Sequence, residues 1–393
     1  MAITDKEEGA WGLDQVYNKI NQGGIWDYDG PQALFRFGWK GVWSAVPAPG
    51  STVSSPIQVT GGTSFTKIYP NNATTMFGAQ GTGTLYSWGY NTYGNLGVNS
   101  RTNHSSPIQI PGTTWVAAGA GIFNAGGLKS DGSVWQWGYN HQSQLGQGNK
   151  TAYSSPVQIP GSWGTTADKY ATTSQGGMAI KTDGTLWTWG YNTNGALGQN
   201  QAEAQLNETA SPVQVGTNTN WNKVCGASPS NLGAIKTDGT LWVWGNGRDG
   251  NLGQNTAQFA GTSHYSSPTQ IPGTTWNIVR GSGYIMRSIK TDGTLWAWGR
   301  NIRGSLGQNN TANYSSPIQI GTDTTWEDFD GDAYTMIAKK TNGSVWTIGS
   351  NTYGQLGQNN TTQYSSPVQV FGANSSTVIV AAAYNSNFAT GQL

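Results

Sequence analysis

One block of residues occurs six times along this chain, and the spacing of its copies limits what the chain can fold into. LYSWGYNTYGNLG, from Leu85 to Gly97, comes back as VWQWGYNHQSQLG, LWTWGYNTNGALG, LWVWGNGRDGNLG, LWAWGRNIRGSLG and VWTIGSNTYGQLG. The glycine after the tryptophan pair falls at Gly89, Gly138, Gly190, Gly245, Gly299 and Gly349, so the intervals run from 49 to 55 residues. A second block, SSPIQI or a close variant, follows each copy, with its proline at Pro107, Pro156, Pro212, Pro268, Pro317 and Pro367, and one further copy stands at Pro56. Repeats of this length with short strands and glycine turns suit the four-stranded blade of a β-propeller.

Within one repeat, alternation and turn residues divide the strands. Trp115 to Ala120 is rich in Ala and Gly and suits the innermost position, where blades converge and space is least. A second strand ends at Lys129, and Asp131-Gly132 turns the chain, because glycine accepts positive φ without steric cost. Val134 to Trp137 forms the third strand, and Pro156 opens an outer one, an edge where a missing N–H is tolerated. The turn recurs at Asp183-Gly184, Asp238-Gly239, Asp292-Gly293 and Asn342-Gly343. Ten of the nineteen tryptophans fall in third strands and five (Trp115, Trp163, Trp221, Trp276, Trp326) at or before first strands, which assigns them to packing between sheets.

The segments near the two ends complement one another. VIVAAAY and NFATGQL read as a first and second strand, while Leu34-Phe35-Arg36-Phe37-Gly38 and the block around Pro56 supply a third and fourth. The expected fold is therefore an all-β, seven-bladed propeller with four-stranded blades. Its ring is closed by N- and C-terminal strands sharing one blade, which leaves no open sheet edge. The expected division is a leader over residues 1–30 and the propeller over 31–393. In the leader, Thr4 and Glu7 fit a capping box, and Leu13, Val16, Tyr17 and Ile20 have helical spacing. A short amphipathic helix is expected there, anchoring on its own propeller or on a partner, with Trp11 and Trp26 as further anchors.

Pairing of a WG-x-x-x-x-G-x-LG block with a DG-x-x-W hairpin resembles the regulator of chromosome condensation (RCC1-like) repeat family of seven-bladed propellers, over residues 30 to 393. That family includes a nucleotide-exchange factor for a small GTPase, a plant ultraviolet-B photoreceptor and a protein inhibitor of β-lactamases, so the resemblance implies architecture and leaves function open. The histidine common after the family's first-strand glycine is missing from GAGIFNAGG, TTSQGGMAI and GSGYIMRSI, the photoreceptor's Gly-Trp-Arg-His-Thr segments do not occur, and no basic tail is expected. The leader segment WGLDQVYNKINQGGIWDYDG is similar to leader segments of structural proteins of marine tailed phages.

Composition removes several functions. A tenth of the residues are charged and the net charge is +1, which gives no field for nucleic acid or a membrane surface. No apolar run approaches a membrane span, and no export signal is expected. The single cysteine, Cys225, excludes an intrachain disulfide and a cysteine zinc cage. His104, His141 and His264 are scattered between third and fourth strands, and no HExxH or phosphate-loop pattern occurs, so no enzyme, cofactor or metal site is expected. The cluster Glu327, Asp328, Asp330 and Asp332 lacks the glycine and glutamate spacing of a calcium loop, and Arg280, Arg287, Arg300 and Arg303 in the preceding repeat offer it a charge match across blades.

The stretches between third and fourth strands remain for function. They are long, neutral and rich in Tyr, Asn and Gln, like antibody contact surfaces. The candidate binding residues are Tyr90, Tyr93, Tyr139, His141, Tyr191, Arg300, Arg303 and Tyr353. The expected function is a non-enzymatic virion surface protein, a tail fibre, adhesin or capsid decoration. It would hold other virion proteins through its leader and a host-surface glycan or protein through its loops, without nucleic acid or membrane insertion. The alternative is a cytoplasmic interaction or regulatory propeller, inhibitor-like or exchange-factor-like.

Overall fold

The computed structural model describes residues 65–70, 75–227, 231–255 and 264–371, and the backbone of four further strands, Leu34–Trp39, Thr52–Gln58, Ile379–Ala383 and Ser386–Thr390. Six sheets each consist of four strands consecutive in the chain, paired antiparallel from the innermost to the outermost. These are blades 1 to 6, residues 67–109, 115–159, 170–214, 221–271, 276–319 and 326–371. A further sheet joins segments near the two ends. In it Leu34–Trp39 lies between Thr52–Gln58 and Ser386–Thr390, and the last pairs with Ile379–Ala383.

The expectation of seven blades is corrected to six, and among the described residues no α-helix stands for the expected helical segment. Six blades are each drawn from four consecutive strands of one repeat, whereas the further four-stranded sheet joins segments near the two ends and lies outside that set. Its LFRFG segment has phenylalanine at both places that carry tryptophan in most repeats. Among the described residues there is no α-helix, only three single-turn 3-10 helices at Ala167–Lys169, Thr193–Gly195 and Arg248–Gly250. The expected helix and its anchors Trp11, Leu13, Val16, Tyr17, Ile20 and Trp26 lie outside the described residues. The fold is an all-β propeller.

The hairpin between second and third strands shows why the repeat is spelled as it is. Asp238 accepts hydrogen bonds from the Thr240 N–H at 3.0 Å and its hydroxyl at 2.7 Å, and that hydroxyl accepts from Trp242 Nε1 at 2.9 Å. Gly239 takes φ +76° between them. The same chain of bonds runs through Asp131, Asp183, Asp292 and Asn342. Beside it, Lys236 sits 4.8 and 4.1 Å from the ring centres of Trp221 and Trp242, a cation–π contact on both sides, repeated by Lys129, Lys181, Lys290 and Lys340.

The second tryptophan of each pair lies between blades. Trp137 is fully buried with Phe77, Leu85 and Ile110 of blade 1, and its indole N–H donates to the Asn95 carbonyl at 3.0 Å. Trp244 and Trp298 reach back to the preceding blade in the same way, to Ala196 and Asn251. The repeated prolines do not open the outer strands. Tyr153–Ile159 starts three residues before Pro156, which falls where the pairing with the third strand breaks register between Tyr153 and Val157. The irregularity spares the missing N–H a ladder bond.

Candidate functional site

Antiparallel order puts two kinds of loop on one face of the disc. The short turns from inner to second strand and the long stretches from third to outer strand share an end, opposite the Asp-Gly hairpins. In blades 2, 3, 5 and 6 the long stretch begins by bonding to the short turn of its own blade, as Tyr139 N–H does to the Phe123 carbonyl at 2.9 Å and Arg300 N–H to the Tyr284 carbonyl at 3.0 Å. A rigid corner follows. Asn301 Nδ2 donates to the Asn310 carbonyl at 3.1 Å while its Oδ1 accepts from Leu306 N–H at 2.9 Å. Asn91, Asn140, Asn192 and Asn351 make the same corner bonds. Blade 4 departs from this. Gly247 stands in place of the asparagine, its N–H meets His264 Nδ1 at 3.4 Å, and Asn246 Oδ1 accepts from Arg248 N–H at 2.8 Å.

The expected site residues fall into separate groups. At the boundary of blades 1 and 2, Tyr93 and Tyr139 meet edge-to-face at 5.0 Å, Phe123 lies 4.8 Å from Tyr93, and His141 stacks on Tyr139 at 4.6 Å. Ile122 next to them is 42% exposed, one of two large hydrophobic side chains so exposed among the described residues. At the boundary of blades 4 and 5, Tyr284 carries Arg248 at 5.2 Å and Arg300 at 5.8 Å over its ring. Asp249 Oδ2 lies 3.8 Å from Nε of each arginine. Arg303 is exposed beside Ile302, the other exposed hydrophobic residue. Tyr191 is engaged locally, its hydroxyl bonded to Glu203 and its titration pushed upward chiefly by that bond. Tyr90 is half-buried, with its carbonyl tied to Asn95, and Tyr353 is half-buried at the corner of blade 6.

Sequence reasoning missed Ile122, Phe123, Arg248, Asp249 and Tyr284. Ile122, Phe123 and Tyr284 sit in the short turns between inner and second strands, outside the long stretches where binding residues were expected. Arg248 and Asp249 had a visible signal, since NGRDG alone among the six copies lacks the asparagine that stands second in YNTYG, YNHQS, YNTNG, RNIRG and SNTYG.

The central channel is lined by inner strands and encloses about 580 Å³. Its ionic side chains balance, with Lys67, Lys223 and Arg280 against Asp168, Asp328 and Asp330. Arg280 pairs with Asp328 at 2.5 Å across blades 5 and 6. Lys223 Nζ donates to the backbone and side-chain oxygens of Asn277, each at 2.8 Å. Burial pushes the Cys225 thiol up to about 12, which leaves it protonated and unreactive at neutral pH. The acidic cluster is dispersed among separate tasks. Glu327 pairs with Lys339, Asp328 with Arg280, and Asp332 Oδ1 accepts the N–H groups of Tyr334 and Thr335. Among the described residues, no three His, Cys, Asp or Glu side chains converge as a metal site would need.

A disc of four-stranded blades with this tryptophan and turn chemistry defines a class of repeat propellers. The regulator of chromosome condensation (RCC1) repeat matches residues 82–122, 131–171, 183–228, 292–329 and 342–389, together more than half of the chain, and the chain belongs to that family. It is 26% identical over 294 residues to human E3 ubiquitin-protein ligase HERC2, which covers 72% of this chain and 6% of that protein. It is 25% identical over 150 residues to the mitochondrial RCC1 domain-containing protein RUG3 of Arabidopsis thaliana, 36% of this chain and 32% of that one. The chain thus spans a small part of the curated relatives it matches. Among solved structures, Prp20p of Saccharomyces cerevisiae superposes with a TM-score of 0.77 at 16% identity, covering 94% of this chain and 93% of that one. Human WBSCR16 gives 0.73 at 16% identity, over 92% and 99%. At such identity the likeness speaks for the fold alone.

Proposed function

We propose that this chain is a non-enzymatic interaction propeller that binds a partner protein through its loop face. The observation that carries this reading is the cluster of Tyr93, Phe123, Tyr139 and His141 with the exposed Ile122 beside it. Aromatic side chains fixed by their neighbours offer contact area at small entropic cost, and such residues dominate binding energy at protein interfaces. Family membership supports the interaction reading over the virion one, and neither virion partners nor a host glycan is carried further. The structure of Prp20p is described with its binding to Gsp1p and histones, and that of yeast RCC1 as a complex with Kap60. Regulation of a partner protein by contact is the corresponding activity for this chain.

Quantitative affinity capture tests the reading, with the intact chain compared with I122D and with Phe123→Ala. A stoichiometric protein partner is expected, reduced roughly 30-fold in affinity by Phe123→Ala, as removal of a central aromatic anchor costs about 2 kcal/mol. A partner retained equally by both variants places binding elsewhere and refutes the assignment.

A further inference from the structure

Two guanidinium groups from different blades converge on one tyrosine ring and one carboxylate at the boundary of blades 4 and 5. Arg248 and Asp249 come from the long loop of blade 4, Tyr284 from the short turn of blade 5, and Arg300 from the start of blade 5's long loop. Both guanidinium groups lie over the Tyr284 ring, and Asp249 Oδ2 stands 3.8 Å from each Nε, an ion-pair distance without a hydrogen bond. Guanidinium carries five N–H donors in a rigid fork, so the terminal amino groups of both arginines are left, and among the described residues they have no hydrogen-bond partner. Arg248 is 53% exposed, Arg300 30% and Asp249 13%, so the carboxylate sits beneath and the cations above.

Two features set this place apart from the other corners. Blade 4 alone among the described blades lacks the corner asparagine, so its loop is released from the common arrangement. Buried Asn251, two residues on, has neither its amide nitrogen nor its oxygen bonded, whereas the corresponding Asn95 amide nitrogen bonds to Thr75 and to the Tyr90 carbonyl. Local rules broken together, with no gain inside the fold, point to a role outside it.

We infer that Arg248 and Arg300 form a carboxylate-receiving fork that takes an acidic side chain of a partner protein. Two positive charges against one negative charge leave a single net charge, which matches one carboxylate and is less than a phosphate dianion would need. Exposed Ile302, two residues from Arg300, offers an apolar neighbour, so an aspartate or glutamate flanked by an apolar residue is the fitting ligand. The inference rests on the interaction reading for its partner, but not on the aromatic cluster for its site.

The probe is the capped peptide Leu-Glu-Glu-Leu, titrated at low salt into the intact chain while the arginine Nε–H resonances are followed by NMR. The expected result is saturable shifts of the Arg248 and Arg300 signals, with affinity reduced at least about tenfold by R248A or by R300A and unaffected by Tyr139→Ala. Arg300→Lys should lose as much as R300A, because an ammonium cannot supply the bidentate fork. Absence of shifts, full binding by Arg300→Lys, or tighter binding of the peptide with phosphoserine in place of glutamate each overturns the inference. Loss through Tyr139→Ala overturns it as well, since the peptide would then sit on the aromatic cluster. Peptide binding at the fork combined with unchanged partner capture by Phe123→Ala would separate the two assignments, sinking the aromatic one and leaving the fork.

Discussion

At the scale of single residues, the hairpin aspartates couple the fold to acid. Asp131, Asp238 and Asp292 are held below the usual carboxylate range, first by the hydroxyl bond from Ser133, Thr240 or Thr294, then by that residue's N–H, with a neighbouring lysine adding to it. At Asp323 burial works upward, yet the bonds from Lys340 and Thr325 prevail and bring it to about 2. A carboxylate depressed in the folded state adds stability that is fully present above its unfolded value, about 3.9, and is lost as pH falls through the folded one. The chain should therefore keep a constant urea midpoint from neutral pH down to about 5 and lose stability steadily from there toward pH 2. Replacing Asp292 by Asn, which keeps an acceptor but cannot titrate, should flatten part of that loss. An unchanged slope in D292N would show that the turn carboxylates do not govern acid unfolding.

At the scale of elements, the third-strand corner holds the long loops. Asn301 is fully buried, and its truncation in Asn301→Ala would strand the Leu306 N–H and the Asn310 carbonyl, at a cost of about 2–3 kcal/mol. Chemical denaturation should show that loss with little change in the slope against denaturant; a loss below about 0.5 kcal/mol would mean the corner holds without its amide. Much of this level was legible in the sequence. Asp-Gly turns and the first tryptophan of each pair located the strands, because the chain of bonds that joins them lies inside one hairpin. The proline bulge was not legible, since a register break belongs to two paired strands and leaves no mark on one. The fork was hidden for a related reason. Arg248 and Tyr284 are far apart in sequence and meet only because blades pack side by side. Tyr93, Tyr139 and His141 were expected in the long loops, but their partner Phe123 reaches them from a short turn, a contact no single repeat spells out.

At the scale of the whole molecule, the repeats must act as one body although each blade touches chiefly its neighbours, and blades 5 and 6 show how ionic groups serve that joining. Matching the arginines of one repeat with the acids of the next was legible as charge. What the sequence did not reveal is that Arg287 spends its donors on backbone. It is 1% exposed and reaches the carbonyls of Asp332 at 3.3 Å and Thr335 at 3.2 Å, and its Nε has no hydrogen-bond partner among the described residues. Burial pulls its titration down to about 10, so the group remains charged at neutral pH while its solvation is poorly replaced. Gly331 faces the guanidinium so closely that a Cβ there would collide with it. Arg287→Ala leaves both carbonyls bare and a cavity between blades, and should cost about 3–5 kcal/mol. Arg287→Met fills the space without a buried charge and should cost markedly less, about 1–2 kcal/mol. Hydrogen exchange distinguishes a joint from a local brace. Loss of protection in R287A confined to residues 276–371 means the boundary opens as a unit, as nearest-neighbour coupling in repeat arrays predicts, whereas uniform loss in all blades means the disc unfolds in one step and assigns Arg287 no special part in joining them.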